Sequence, residues 1–187
     1  MLFRSHPAEI LLKKDAYDTG NPIKLPRLYD EQLFGFTFGD WDGDGAEDMA
    51  IMVNGERLRM FFKSSNWMSS ETYGGTKSDF VFGGDQIASF LPRLLSWTPS
   101  GGKSQLLLPH NFPELGIRLT YLKLYKKSEI IALTWNGLEM ATTWTLPIAG
   151  YLADDAIGDG MHQSTPQLWA ATVGPGDKTV LLAYSLP

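Results

Sequence analysis

No cysteine occurs anywhere in the 187 residues. That excludes a disulfide framework, a zinc-thiolate site, an iron–sulfur cluster and a thiol nucleophile, and it suits an oxidising compartment as well as a reducing one. Long apolar runs are missing too. Stretches such as Met49 to Val53 fall far short of the ~20 residues of a membrane helix, so no membrane span is expected. The opening Met1-Leu2-Phe3-Arg4-Ser5-His6-Pro7 lacks the apolar stretch of a secretory signal, so an export leader is expected either to have been removed or never to have existed. Histidine is scarce: His6, His110 and His162 stand far apart, in no paired-ligand spacing. Positive charge is not in excess either. A net charge of -5 and a pI near 5.1 argue against a phosphate-tracking surface, and hence against nucleic acid as a partner. Neither a G-x-S-x-G elbow nor a G-x-G-x-x-G cradle is present. Gly101-Gly102-Lys103-Ser104 ends like a phosphate loop, but the first glycine of that motif would fall at Trp97.

What the chain does contain is 19 glycines, 11 prolines and 12% aromatic residues, the makings of short strands and many turns. With 43% hydrophobic and 20% charged residues it belongs with globular proteins, and a domain of this length buries roughly 70% of its unfolded surface. An all-β fold in a single domain spanning 1–187 is expected.

The negative charge is concentrated. Asp40, Asp42, Asp44, Glu47 and Asp48 place five acids within nine residues, and outside that segment acids and bases are equal, sixteen of each. Carboxylates at relative positions 1, 3, 5 and 9 repel one another unless a cation joins them. Hard oxygen ligands at this spacing suit calcium, which takes six to eight oxygens at about 2.3–2.6 Å. The expected ligands are the side chains of Asp40, Asp42, Asp44 and Asp48 with the main-chain carbonyl of Ala46, and Gly43 and Gly45 let the backbone turn tightly. An EF-hand would need a bidentate Glu at position 12 and flanking helices. Position 12 is Ile51, and Met49-Ala50-Ile51-Met52-Val53 reads instead as a buried strand ended by the hairpin signal Asn54-Gly55.

This D-x-D-G-D-G-x-x-D loop running into an apolar strand resembles the integrin-type FG-GAP or VCBS repeat of bacterial proteins. The resemblance implies calcium loops between strands of β-propeller blades. Related phrases recur in decayed form. Ser96-Trp97-Thr98-Pro99-Ser100-Gly101-Gly102-Lys103-Ser104-Gln105 aligns with the first loop after one insertion, Trp97 over Trp41 and Gln105 over Asp48, with no carboxylates left. A third copy begins at Gly150-Tyr151 and keeps acids in the ligand slots only at Asp155 and Asp159. Loop starts near 40, 96 and 155 are spaced by 56 and 59 residues, about one blade plus insertions. The phrases Asn66-Trp67-Met68-Ser69-Ser70 and His110-Asn111-Phe112-Pro113 add to the likeness, which covers most of 28–187.

The expected organisation is a propeller-like array of about three four-stranded antiparallel blades, an incomplete propeller from the C-terminal part of a larger one. Its blades are 28–85 with the calcium loop, 86–148, and a partial 149–187. Residues 1–27 are expected as the outer hairpin of a preceding blade, with strands at Ile10–Lys13 and Pro22–Leu25 around Gly20-Asn21. Second strands are expected at Arg57–Phe62, Leu119–Tyr125 and Thr179–Tyr184, and the middle blade should turn at Asn136-Gly137. A propeller closes with about four to eight blades, so self-association or association with the rest of a longer propeller is expected.

The function that follows is a calcium-binding, non-enzymatic scaffold or protein-interaction module, exported to the periplasm, cell surface or medium as the resemblance implies. The alternatives are a glycan-binding module or a propeller-type hydrolase or lyase. Trp67, Tyr73, Trp135, Trp144 and Trp169 could stack on sugars, but packing is the commoner use of such rings. Glu71, Asp79, Asp85, Glu114 and Glu139 could supply a carboxylate pair, though only composition selects them. The insertion 63–84 is the expected recognition loop.

Overall fold

The computed structural model describes residues 8–13, 16–22, 35–53, 56–73, 78–82, 86–91, 93–113, 125–160, 163–174 and 178–187. The chain forms two compact units, Met1–Glu31 and Gln32–Pro187. The first unit contains the antiparallel pair β1 (Ala8–Lys13) and β2 (Ala16–Pro22). Lys13 pairs with Ala16, so the chain reverses two residues after β1, and Gly20 and Asn21 lie inside β2 instead of forming the turn. The two-residue connection, the commonest hairpin closure, displaces the expected strand at Pro22–Leu25, of which 23–25 lies outside the described residues.

The second unit is all-β, and no helix occurs among the described residues. Its first sheet is the meander β3 (Phe36–Gly39), β4 (Asp48–Val53), β5 (Arg57–Phe61) and β6 (Asn66–Met68). A two-stranded pair follows, β7 (Ser78–Phe82) with β8 (Gln86–Phe90). The second sheet repeats the four-stranded order with β9 (Leu95–Trp97), β10 (Gln105–Pro113), β11 (Tyr125–Trp135) and β12 (Met140–Ala149). The third has β13 (Tyr151–Gly160), β14 (Gln163–Val173) and β15 (Thr179–Ser185).

Several expected strands stand where the residues placed them. The apolar run is β4, Arg57–Phe61 pairs with it as β5, and Thr179–Ser185 is β15. Asn136 accepts the backbone N–H groups of Leu138 and Glu139 on its Oδ1, and Gly137 takes φ 100°, so β11 and β12 join at the expected turn. Asn54-Gly55 and 119–124 lie outside the described residues. The partner of β10 is Tyr125–Trp135, so Tyr125 begins the strand that follows the apolar one rather than ending it. The insertion 63–84 supplies β6 and β7, and the expected division between 85 and 86 cuts the pair β7–β8.

The core comes in two layers. Along β10 and β11 successive side chains point to opposite faces. Leu106, Leu108, Ile131 and Leu133 face the first layer, with Ala50, Met52, Leu58 and Met60 of the first sheet. Leu107, Ile130 and Ala132 face the second, with Leu152, Leu168 and Ala170 of the third sheet. The central strands β10 and β11 are therefore buried on both faces over these stretches, which is why Leu106-Leu107-Leu108 and Ile130-Ile131-Ala132-Leu133 are continuously apolar. Each such Leu or Ile contributes roughly 1.5–3 kcal/mol relative to an exposed position.

Candidate metal centre

The acidic segment is the connection from β3 to β4, between the paired residues Gly39 and Asp48. Its backbone is held by its own carboxylates. Asp40 Oδ1 accepts the N–H of Gly43 at 2.8 Å and Oδ2 that of Gly45 at 3.0 Å. Asp42 Oδ1 accepts from Asp44 N–H at 3.1 Å, and Asp44 Oδ1 from Ala46 N–H at 2.8 Å. Gly43 and Gly45 have φ of 81° and 82°, a region that side chains with a Cβ avoid. The consequence is a loop that winds round its own acids.

Asp48 differs from the others because it opens β4 and is 1% exposed. Its Oδ2 accepts the backbone N–H of Trp41 at 3.0 Å and that of Asp42 at 3.4 Å, while its Oδ1 is buried without a partner. Burial pushes this carboxyl above the usual range, the Trp41 N–H opposes the shift, and the negative charges of Asp42 and Asp40 add to it. A carboxylate oxygen of each of Asp40, Asp42 and Asp48 lies within 4.8 Å of the others. Such a group offers three hard oxygens to one cation and repels itself without one. Asp44 is not brought into this group, and its carboxylate turns back onto Ala46 N–H.

The loop is tied to the core by the ring of Trp41, 1% exposed in the layer between the first and second sheets. Its indole Nε1 is buried without an acceptor. Gly39, beneath the loop, has no room for a side chain: a Cβ there would meet Ser96 Oγ at 2.5 Å and the Trp41 ring at 3.0 Å. Gly39→Ala should therefore lower stability by about 1–3 kcal/mol through overpacking. Thermal melting checks this, and Ser96→Ala in the same chain should restore part of the loss.

The corresponding connection of the second sheet, from β9 to β10, has no carboxylate and carries one cation, Lys103. It is closed by Thr98 Oγ1 against Ser104 Oγ at 2.9 Å and by Gly102 N–H donating to Pro99 carbonyl at 3.0 Å. Its register corrects the expected alignment. Trp97 pairs with Gln105 as Gly39 pairs with Asp48, so Gln105 matches Asp48 but Trp97 ends a strand where Trp41 lies inside the loop. The third copy is not a loop. Tyr151–Gly160 is a strand, and Asp155 lies opposite Ala170 within it. An acid-rich sequence becomes a strand here because Gln163–Val173 offers it a full partner.

Four of the five rings considered as sugar platforms are engaged elsewhere, and the fifth, Trp169, is half-buried. Trp67 and Trp135 pack against the first core layer and Trp144 against the second, with Trp144 Nε1 donating to Gln105 Oε1 at 3.0 Å. Tyr73 is buried, which with Glu71 and Glu139 raises its hydroxyl's pKa. Glu71 and Glu139 are exposed, while Asp85, Glu114 and the side chain of Asp79 lie outside the described residues. His110 Nδ1 is 3.1 Å from Glu129 Oε1. No helix among the described residues is long and apolar enough to cross a membrane.

Comparison of the chain with protein-family models, with curated proteins and with solved structures finds no match.

Proposed function

We propose that the unit Gln32–Pro187 is a calcium-stabilised, non-enzymatic β-propeller-type module of the FG-GAP or VCBS kind, acting as a scaffold or interaction domain outside the cytoplasm. One observation carries the metal reading: Asp48 is buried at the start of β4 with Oδ1 unpartnered, beside Asp40 and Asp42. A carboxylate so placed has lost water without gaining a full set of donors, and a divalent cation supplies the missing partner. Asp40, Asp42 and Asp48 form the inner set, and Asp44 and the Ala46 carbonyl complete it once the ion draws the loop in.

The propeller reading is supported by two meanders of identical order, each bringing its first loop to the same register position, and by central strands β10 and β11 that face a core layer on either side. The metal's role is mechanical. It fastens the β3–β4 loop, and through Trp41 the first core layer, to the end of a buried strand.

Calorimetric titration with calcium tests this. The chain should bind one equivalent, Asp42→Ala should weaken binding at least tenfold, and Asp44→Ala should weaken it less. Absence of heat with the wild-type chain, or Asp44→Ala as the most damaging change, sinks the assignment.

A further inference from the structure

The buried polar side chains between the second and third sheets include Asn111, Ser128 and Thr172, all hydrogen-bonded, and Asp155, which is not. Asp155 projects from β13 into this layer, opposite Ala170 on β14, and is 2% exposed. Neither of its carboxyl oxygens has a hydrogen-bond partner. The register of β13 shifts between Leu152 and Asp154, and Asp154, exposed, takes the guanidinium of Arg93 through Oδ1 at 3.2 Å and Oδ2 at 3.4 Å. The nearest positive group is thus bound to the neighbouring acid at the surface, and Asp155 is left inside.

The other elements packed against β13 offer no counter-charge among the described residues. From β10 the layer receives Leu107, from β11 Ile130 and Ala132, from β9 Leu95 and Trp97, and from β14 Leu168 and Ala170. The ionisable groups around it are Asp154, Arg93, Asp159 further along β13, and Tyr184 on β15. Of these only Arg93 is a cation, and Asp154 opposes it.

We propose that Asp155 makes the docking of the third sheet on the second pH-dependent, the sheet packing firmly while the carboxyl is neutral and loosening when it ionises. A neutral carboxyl in such a layer costs little, whereas a charged one without a partner costs far more. Burial and the Asp154 charge together push the Asp155 pKa up to about 8 from 3.8, with Arg93 and, more weakly, its own backbone N–H opposing. The folded protein therefore holds this proton more tightly than the unfolded chain does. The resulting stabilisation is complete below pH 3.8 and is lost as the pH rises towards 8, by up to tenfold in the folding equilibrium per pH unit. The effect is independent of the acidic loop, so it survives chelation.

The test is amide hydrogen exchange between pH 5 and 9 with chelator present throughout, corrected for the intrinsic exchange rate. Opening of the β13–β15 amides should increase up to tenfold per pH unit to about pH 8 and then level off, before comparable opening in β4 and β5. In Asp155→Asn the rise should vanish. Asp155→Leu, close in shape and without a polar group, should also abolish it and exchange more slowly than wild type at pH 8. Wild-type opening that does not change with pH, or a rise that persists in both variants, overturns the proposal.

Discussion

Chelation should lower the melting temperature of the wild-type chain by about 5–10 °C when compared with calcium at roughly a hundred times Kd, and should leave Asp48→Asn unmoved. A ligand at that excess that binds only the folded state stabilises it by about 2.7 kcal/mol, and for a chain of this size each kcal/mol corresponds to about 2–4 °C. Asp48 is the decisive position because it belongs to both structures at once. It pairs with Gly39 in the sheet, and its carboxylate holds the N–H groups of Trp41 and Asp42 in the loop. Asn keeps the shape and an acceptor for Trp41 N–H but removes the charge a divalent ion requires. Equal calcium shifts in both proteins, or none in the wild type, would refute the metal assignment.

The second large effect is expected at Asn111, far from the acidic loop in sequence. Its Oδ1 accepts from Ser128 Oγ and from Leu152 N–H, and its Nδ2 donates to the Leu152 carbonyl at 3.2 Å. The single Ser128 hydroxyl proton is shared with the Gly150 carbonyl, which also lies within hydrogen-bond distance of Oγ. These two buried side chains from β10 and β11 clasp the turn between β12 and β13, where Gly150 has φ 88° and a Cβ would meet the Val173 carbonyl oxygen at 2.5 Å. Asn111→Ala leaves the Leu152 carbonyl buried without its donor and opens a small void. Such losses cost about 1–3 kcal/mol for the unsatisfied group alone. A total of about 2–4 kcal/mol is expected, read as a lower urea midpoint, with Ser128→Ala adding little in the double variant because the two act as one network. An Asn111→Ala midpoint within error of wild type would show that the clasp holds nothing.

Features readable in the residues were those made by neighbours along the chain. The acid spacing of Asp40 to Asp48, the apolar β4 and the Asn136-Gly137 turn all rest on chemistry within a dozen residues, and each has its expected place. Asp155 misled for the opposite reason. Beside Asp154 and Asp159 it reads as part of a worn acidic loop, and nothing local shows that Gln163–Val173 will take the whole segment into a strand. Likewise Gly20-Asn21 carries a turn signal, yet the shorter closure at Lys13 and Ala16 prevails. Asn111 stood out only within the phrase His110-Asn111-Phe112-Pro113 and Ser128 not at all, because a clasp between β10, β11 and the start of β13 exists only once three strands meet.

Composition and pattern therefore decided the all-β character, the position of the acid-rich turn and the run of each continuously apolar strand, since these follow from backbone preference, charge spacing and two-sided burial. Folding in three dimensions decided which acids meet. It drew Asp40, Asp42 and Asp48 together, turned Asp44 aside, and buried Asp155 in another layer altogether. The physical reason is that a strand's register against its partner determines which way every carboxylate points, and that register depends on residues far away in the chain.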